Sequence, residues 1–70
     1  MAENRIGAER TRLRMSQEEL AEKLDISRNT LSKYEKNPIN APLKKLIAMA
    51  DLFRCSTDYL LGRTEERRIR

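Results

Sequence analysis

Seventy residues make one domain with no room for a second, and a chain this short buries only about 60% of its unfolded surface, so its core must be simple. Charged side chains are 37% of the chain and hydrophobic ones 39%, with two tyrosines and one phenylalanine, which suits a small helical bundle in a charged shell and argues against strands. One cysteine and no histidine exclude an intrachain disulfide, a Cys/His metal cluster and the commonest general base, and nothing asks for a cofactor.

The formal net charge of +4 favours polyanionic partners. Residues 1–62 hold 11 basic and 9 acidic side chains and residues 63–70 hold 4 and 2, so the excess is modest and points to a patterned face rather than bulk charge. No run of about 18 apolar residues can span a membrane, and the polar start lacks the apolar core of a signal peptide, so a cytoplasmic protein is expected.

Residues 3–13 read as a first helix, with Ile6 and Leu13 seven residues apart on one face and Arg10 between them on the same side. Arg10 either snorkels to water or pairs with a carboxylate on another helix, for which Glu35 is the candidate; such a brace would fix a helix crossing more than add net stability. Met15 precedes Ser16 as an apolar staple and core residue. Ser16 and Glu19 form the signature of a capping box that opens a second helix, in which Leu20, Ala21 and Leu24 make the buried stripe. Asp25-Ile26-Ser27 is a tight corner, anchored by Ile26 and ending in a Ser27 cap for a third helix.

On a wheel of about 100° per residue, Arg28, Asn29, Ser32, Lys33 and Lys36 share an arc of roughly 140°, with Leu31 and Tyr34 opposite. That arc carries no acidic residue, whereas an ordinary solvated face mixes signs, so it reads as a surface that meets an anion.

Lys36-Asn37-Pro38-Ile39-Asn40-Ala41-Pro42 is a loop by composition, with Asn37 suited to a left-handed helix end and Pro38 barring continuation. A fourth helix is expected to start with Pro42 at its first position and to lay Leu43, Leu46, Ile47, Met49, Ala50 and Phe53 into the floor of the core. Lys44 and Lys45 either decorate its first turn or touch phosphate. Ser56 caps a short fifth helix that Gly62 ends; Leu60 completes the core, while Tyr59 and Leu61 either join it or form a dimer contact. Cys55 reads as a small core residue rather than a nucleophile or sensor. Residues 63–70, with one hydrophobe and no cap, are expected to be a charged, disordered tail.

An all-α bundle of five short helices with a sharp corner between the second and third resembles the lambda repressor and Cro, or Xre, family of helix-turn-helix DNA-binding domains. The matching residues include Ile6, Arg10, Met15 to Ala21, Ile26 to Glu35 and Ser56 to Gly62, placing the domain within residues 1–62. The family often has glycine where this chain has Arg14 and Asp25; an aspartate accepts a left-handed backbone at moderate cost, an arginine at about 1 kcal/mol.

The resemblance implies that the third helix enters the major groove of double-stranded DNA while the second crosses the backbone with its N-terminus on a phosphate. Arg28, Asn29, Ser32 and Lys33 are then the base-contacting residues, and Gln17, Ser27, Thr30, Lys36, Lys44 and Lys45 the phosphate contacts, with Gln17 also buttressing the reading helix. It implies a small prokaryotic or phage regulator, a repressor, acting as a homodimer on a palindromic operator. The competing reading is an antitoxin or adaptor whose main partner is another protein. An enzyme has no support, because no paired carboxylates, glycine-rich loop or nucleophile motif is present.

Overall fold

The computed structural model of the chain describes residues 4–67. These form helices α1 (Arg5–Arg12), α2 (Gln17–Leu24), α3 (Arg28–Lys36), α4 (Leu43–Phe53) and α5 (Thr57–Leu60), with a 3-10 turn over Pro38–Asn40 between α3 and α4. Among the described residues no strand occurs and no helix is long and apolar enough to cross a membrane.

Helix α1 begins where Asn4 accepts the Gly7 N–H at 2.8 Å. A Cβ on Gly7 would lie 2.6 Å from Asn4 Nδ2, so glycine is what lets the cap close over the first turn. The expected helix reached Leu13, but α1 stops at Arg12. Leu13 is its C-cap and 38% exposed, so it does not share a buried face with Ile6: it closes the last turn, and no described element covers it there.

The capping box at Ser16 is complete, with the Glu19 N–H donating to Ser16 Oγ at 3.1 Å and the Ser16 N–H donating to Glu19 Oε1 at 2.8 Å. That second bond holds the Glu19 carboxyl below the usual range. Asp25 takes the left-handed conformation at φ 57°, and the Ile26 N–H reaches back to Ala21 O at 3.0 Å, so the corner closes without glycine. Leu20, Ala21 and Leu24 are buried, and the small Ala21 lets α2 and α3 pack closely.

Two helix ends differ from expectation. Asn37 is extended at φ −147° rather than left-handed, because Pro38 next to it forbids the helical region and starts the 3-10 turn. Pro42, at ψ 148°, is the cap of α4 and not its first helical residue.

The core consists of Ile6 from α1, Leu20 and Leu24 from α2, Leu31 from α3, Leu46, Met49 and Phe53 from α4 and Leu60 from α5, joined by Ala21, Ala41, Ala50 and Cys55. Met15, Ile26, Tyr34, Tyr59 and Leu61 pack against its edge. Cys55 is fully buried and its thiol pKa is pushed up by desolvation, as befits a packing residue. The floor is narrower than the apolar pattern of α4 suggested: Leu43 is 67% and Ile47 46% exposed. Leu46, Met49, Ala50 and Phe53 span about 100° of the wheel, and Leu43 and Ile47 fall beyond its edge, where no described element covers them.

The segment after Gly62, expected to be disordered, instead runs back over α1 and α4 across residues 63–67; residues 68–70 lie outside the described residues. Arg5, buried in the first turn of α1, donates to Tyr59 O at 2.9 Å, to Thr64 O and to Glu65 Oε1 at 3.1 Å, with its guanidinium 4.3 Å from the Tyr59 ring centroid. Arg67 donates to both Glu9 oxygens at 2.7 and 2.8 Å and to Phe53 O at 2.7 Å. The Ser56 N–H closes the loop on Arg67 O at 3.0 Å. The buried Glu9 also accepts from Arg12 at 2.9 Å. Its carboxyl is held below the usual range, first by the Arg67 hydrogen bonds and then by Arg12, against the opposing effect of burial.

Candidate nucleic-acid interface

Helix α3 lies on the bundle surface, fixed from behind by the fully buried Leu31 and the half-buried Tyr34. Its start is set by Ser27, whose Oγ accepts the Thr30 N–H at 3.1 Å and shares a hydrogen bond with Thr30 Oγ1 at 2.9 Å. Arg28, Asn29, Lys33 and Lys36 are exposed on the outward arc and Ser32 is half-buried. The only acidic residue of α3, Glu35, is 4% exposed and turned inward, so the outward arc carries positive charge alone.

Glu35 is the hub behind this surface. Its Oε2 accepts from Arg10 Nε at 2.9 Å, which is the expected brace between α1 and α3. Its Oε1 accepts from Gln17 Nε2 at 3.2 Å and from Asn4 Nδ2 at 3.4 Å. Arg10 also donates to Met15 O at 2.9 Å, holding the turn between α1 and α2, and its side chain is 18% exposed, so it pairs rather than snorkels.

Gln17 ties this hub to the outer face. Its Nε2 also donates to Ser32 Oγ at 3.4 Å, and its Oε1 accepts from Arg28 Nε at 3.3 Å. The first residue of α2 thus holds the first residue of α3, and the Arg28 guanidinium is oriented before anything binds it. The cap at Ser16 takes up the Glu19 N–H, and the first turn of α2 also carries Glu18 and Glu19.

Other residues singled out from the sequence are distributed unevenly. Lys33, Lys36 and Lys44 have no ion pair or side-chain hydrogen bond to other described residues and project freely. Lys45 is half-buried and its Nζ donates to Leu24 O at the C-terminus of α2, so it serves as an internal tie between α2 and α4. Ser27 and Thr30 satisfy each other at the start of α3. Asn4 was not picked out in the sequence, although its position just ahead of a helical run with a small residue three places on is a cap signal. Among the described residues no group of three or more His, Cys, Asp or Glu side chains is placed to hold a metal ion.

The helix-turn-helix family matches residues 6–60, which take in α1 to α5 almost entirely. The HTH-type transcriptional regulator ImmR of Bacillus subtilis (strain 168) is 44% identical over 50 residues, covering 71% of this chain and 39% of that protein. An uncharacterized HTH-type transcriptional regulator of the same organism, YobD, is 38% identical over 53 residues, covering 76% of this chain and 47% of its own. The chain therefore spans less than half the length of either relative. No solved structure matches it. The corner between α2 and α3, the braced third helix and the extent of the match together place the chain in the helix-turn-helix family of lambda repressor and Xre type.

Proposed function

We propose that this chain binds double-stranded DNA sequence-specifically, with α3 in the major groove, as a transcriptional regulator of the repressor kind. The observation that carries this reading is the outward arc of α3: Arg28, Asn29 and Lys33 project from it with no acidic neighbour, while Glu35 and Gln17 hold the helix rigidly from behind. Arg28 suits a guanine edge, Asn29 an adenine edge, and Ser32 and Lys33 neighbouring edges. Gln17 at the start of α2, through its backbone N–H because both amide donors are engaged, Ser27 and Thr30 at the start of α3, and Lys36 and Lys44 supply phosphate contacts that fix register without reading sequence. Lys45 gives one of its three ammonium donors to Leu24 O and keeps its charge and two donors for a phosphate.

A single domain of this size touches few base pairs, so the reading includes a homodimer on a palindromic operator with half-sites about 34 Å apart. Selection of bound duplexes from a random pool, followed by sequencing, is expected to enrich one palindrome. Arg28→Ala should cost about 1–3 kcal/mol on that site and relax preference at one position per half-site. An equal loss on every sequence removes Arg28 from the base readers. Absence of DNA affinity even at low salt overturns the reading and leaves a protein partner as the function of this surface.

A further inference from the structure

Asn4 does more than begin α1. Its Oδ1 accepts the Gly7 N–H at 2.8 Å, a role that any capping side chain can fill, while its Nδ2 donates to Glu35 Oε1 on α3 at 3.4 Å. The amide fits in one orientation only. Turned over, it would set Nδ2 against the Gly7 donor and Oδ1 against a carboxylate oxygen, two mismatches in place of two bonds. Gly7 leaves the space for it, since a Cβ there would lie 2.6 Å from Nδ2 and 2.9 Å from Cγ. The side-chain caps of α2, α3 and α5 are all serines, and asparagine stands at the cap that meets Glu35.

Four side chains then make an unbroken chain from the start of α1 to the outer surface of α3. The buried Glu35 accepts at Oε1 from Asn4 and, at 3.2 Å, from Gln17 Nε2, and Gln17 Oε1 accepts from Arg28 Nε at 3.3 Å. Arg10 Nε takes the other oxygen, Oε2, so the two amides hold Oε1. Because both ends of the Gln17 amide are engaged, a tilt of the Glu35 carboxylate turns Gln17 and carries Arg28 with it. With Nε given to Gln17, the two terminal nitrogens of Arg28 have no partner among the described residues and form the outward fork that matches guanine O6 and N7.

We infer that Asn4 is a positioning residue for the base contact of Arg28: it orients Glu35 Oε1, through Glu35 the amide of Gln17, and through Gln17 the guanidinium. The inference rests on the DNA-binding reading for its purpose, but the positioning exists in the free chain and is measurable there. A capping role alone ties Asn4 to α1, and so first to Arg10, which lies on that helix. Positioning ties it to Arg28 and leaves Arg10 in place.

The test begins with the nitrogen-labelled whole chain without DNA, in which hydrogen exchange with water is followed at the Nε–H groups of Arg28 and Arg10. Asn4→Ser keeps an oxygen for the Gly7 N–H and loses the amide donor. Asn4→Asp also keeps the cap and sets a carboxylate against Glu35 Oε1. Exchange at Arg28 should quicken about threefold in Asn4→Ser and about tenfold in Asn4→Asp, with Arg10 unchanged in Asn4→Ser. Arg28 exchange that stays at the wild-type rate, or Arg10 exchange that quickens as much in Asn4→Ser, overturns the positioning.

Affinity is then measured for a duplex enriched from a random pool and for the same duplex changed at the base pair where Arg28→Ala relaxes preference. Asn4→Ser should lose about threefold on the first and nothing on the second, and nothing on either in an Arg28→Ala background. An equal loss on both duplexes, a loss that persists without Arg28, or undiminished discrimination overturns the proposal. A wild type without DNA affinity, or an Arg28→Ala chain that relaxes no position, overturns the DNA reading instead, and the exchange rates at Arg28 and Arg10 then decide the positioning by themselves.

Discussion

Replacing Glu35 tests how α3 is held. Glu35→Leu removes the acceptor of Arg10, Gln17 and Asn4 at once. Removing one partner of a buried ion pair costs about 3–5 kcal/mol, because the other charge stays desolvated and unmatched. Arg10 keeps its bond to Met15 O and 18% of its side-chain exposure, and water can reach Asn4, so about 2–4 kcal/mol is expected here. A domain of this size has on the order of 4–10 kcal/mol in all, so the variant should lose at least about a fifth of its stability.

The pair is better tested as a cycle. Arg10→Met combined with Glu35→Leu removes both charges and fills the space with apolar groups, and should lie within about 1 kcal/mol of wild type, giving a coupling of about 2–3 kcal/mol. Urea unfolding followed by circular dichroism reads this directly: at a slope near 1 kcal/mol/M, Glu35→Leu shifts the midpoint by about 2–4 M and the double variant restores most of it. A Glu35→Leu cost under about 0.5 kcal/mol would show that the pair is not desolvated, and a double variant as unstable as the sum of the singles would show that it is not a pair. DNA affinity should not recover with stability, since Gln17 has lost the carboxylate that anchors it beneath Arg28.

The clasp at Glu9 predicts a pH dependence. Its carboxyl pKa is lowered in the folded chain, first by Arg67, so the stabilisation is complete above the ordinary glutamate value of about 4.3 and is lost as pH falls from there through the lower folded value. Thermal melts between pH 6 and pH 3 should show that loss, and Arg67→Ala should flatten it; an unchanged acid profile in Arg67→Ala would place the acid sensitivity elsewhere. Arg14 and Arg54 hold left-handed backbones at φ 59° and 58°, so glycine at either should stabilise by about 0.5–1 kcal/mol, a rise of about 2–8 °C in Tm. Asp25→Gly should gain less, because aspartate visits that region more readily, and a loss of Tm in Arg14→Gly would mean that its side chain contributes more than its backbone strain costs.

What the sequence made legible was local or chemically compelled. The caps at Ser16, Ser27 and Ser56 follow from a hydroxyl ahead of an apolar-periodic run. The Arg10 to Glu35 brace follows because a charge on an inward helical face needs a partner and the α3 pattern offered one. The clasp among Arg5, Glu9 and Arg67 has no such signature. Glu9 and Arg67 are 58 residues apart, and a charged tail after a glycine stop looks the same whether it is solvated or docked. The breadth of the α4 floor was overread for a related reason: periodicity shows which residues share a side, while the width of the covered strip depends on how far neighbouring helices reach. For Lys45 the sequence offers surface decoration or a phosphate contact, and nothing in its own helix indicates that Leu24 O lies within reach.

The corner that anchors the motif is not a single device. Arg14-Met15-Ser16, Asp25-Ile26-Ser27 and Arg54-Cys55-Ser56 share one construction: a left-handed residue at φ 57–59°, then an apolar residue packed into or against the core, then a serine cap. In each the middle N–H returns five residues, Met15 to Arg10 O at 3.1 Å, Ile26 to Ala21 O at 3.0 Å and Cys55 to Ala50 O at 3.0 Å. In each the serine accepts the N–H three residues on. The chain thus ends one helix, anchors the turn in the core and opens the next in three residues, and does so without glycine each time. Ile26 is held in the middle of the central corner by the same returning bond as Met15 and Cys55 and packs against the core as Met15 does, so the start of α3, from which Arg28 and Asn29 project, is set by a device that the fold uses twice more.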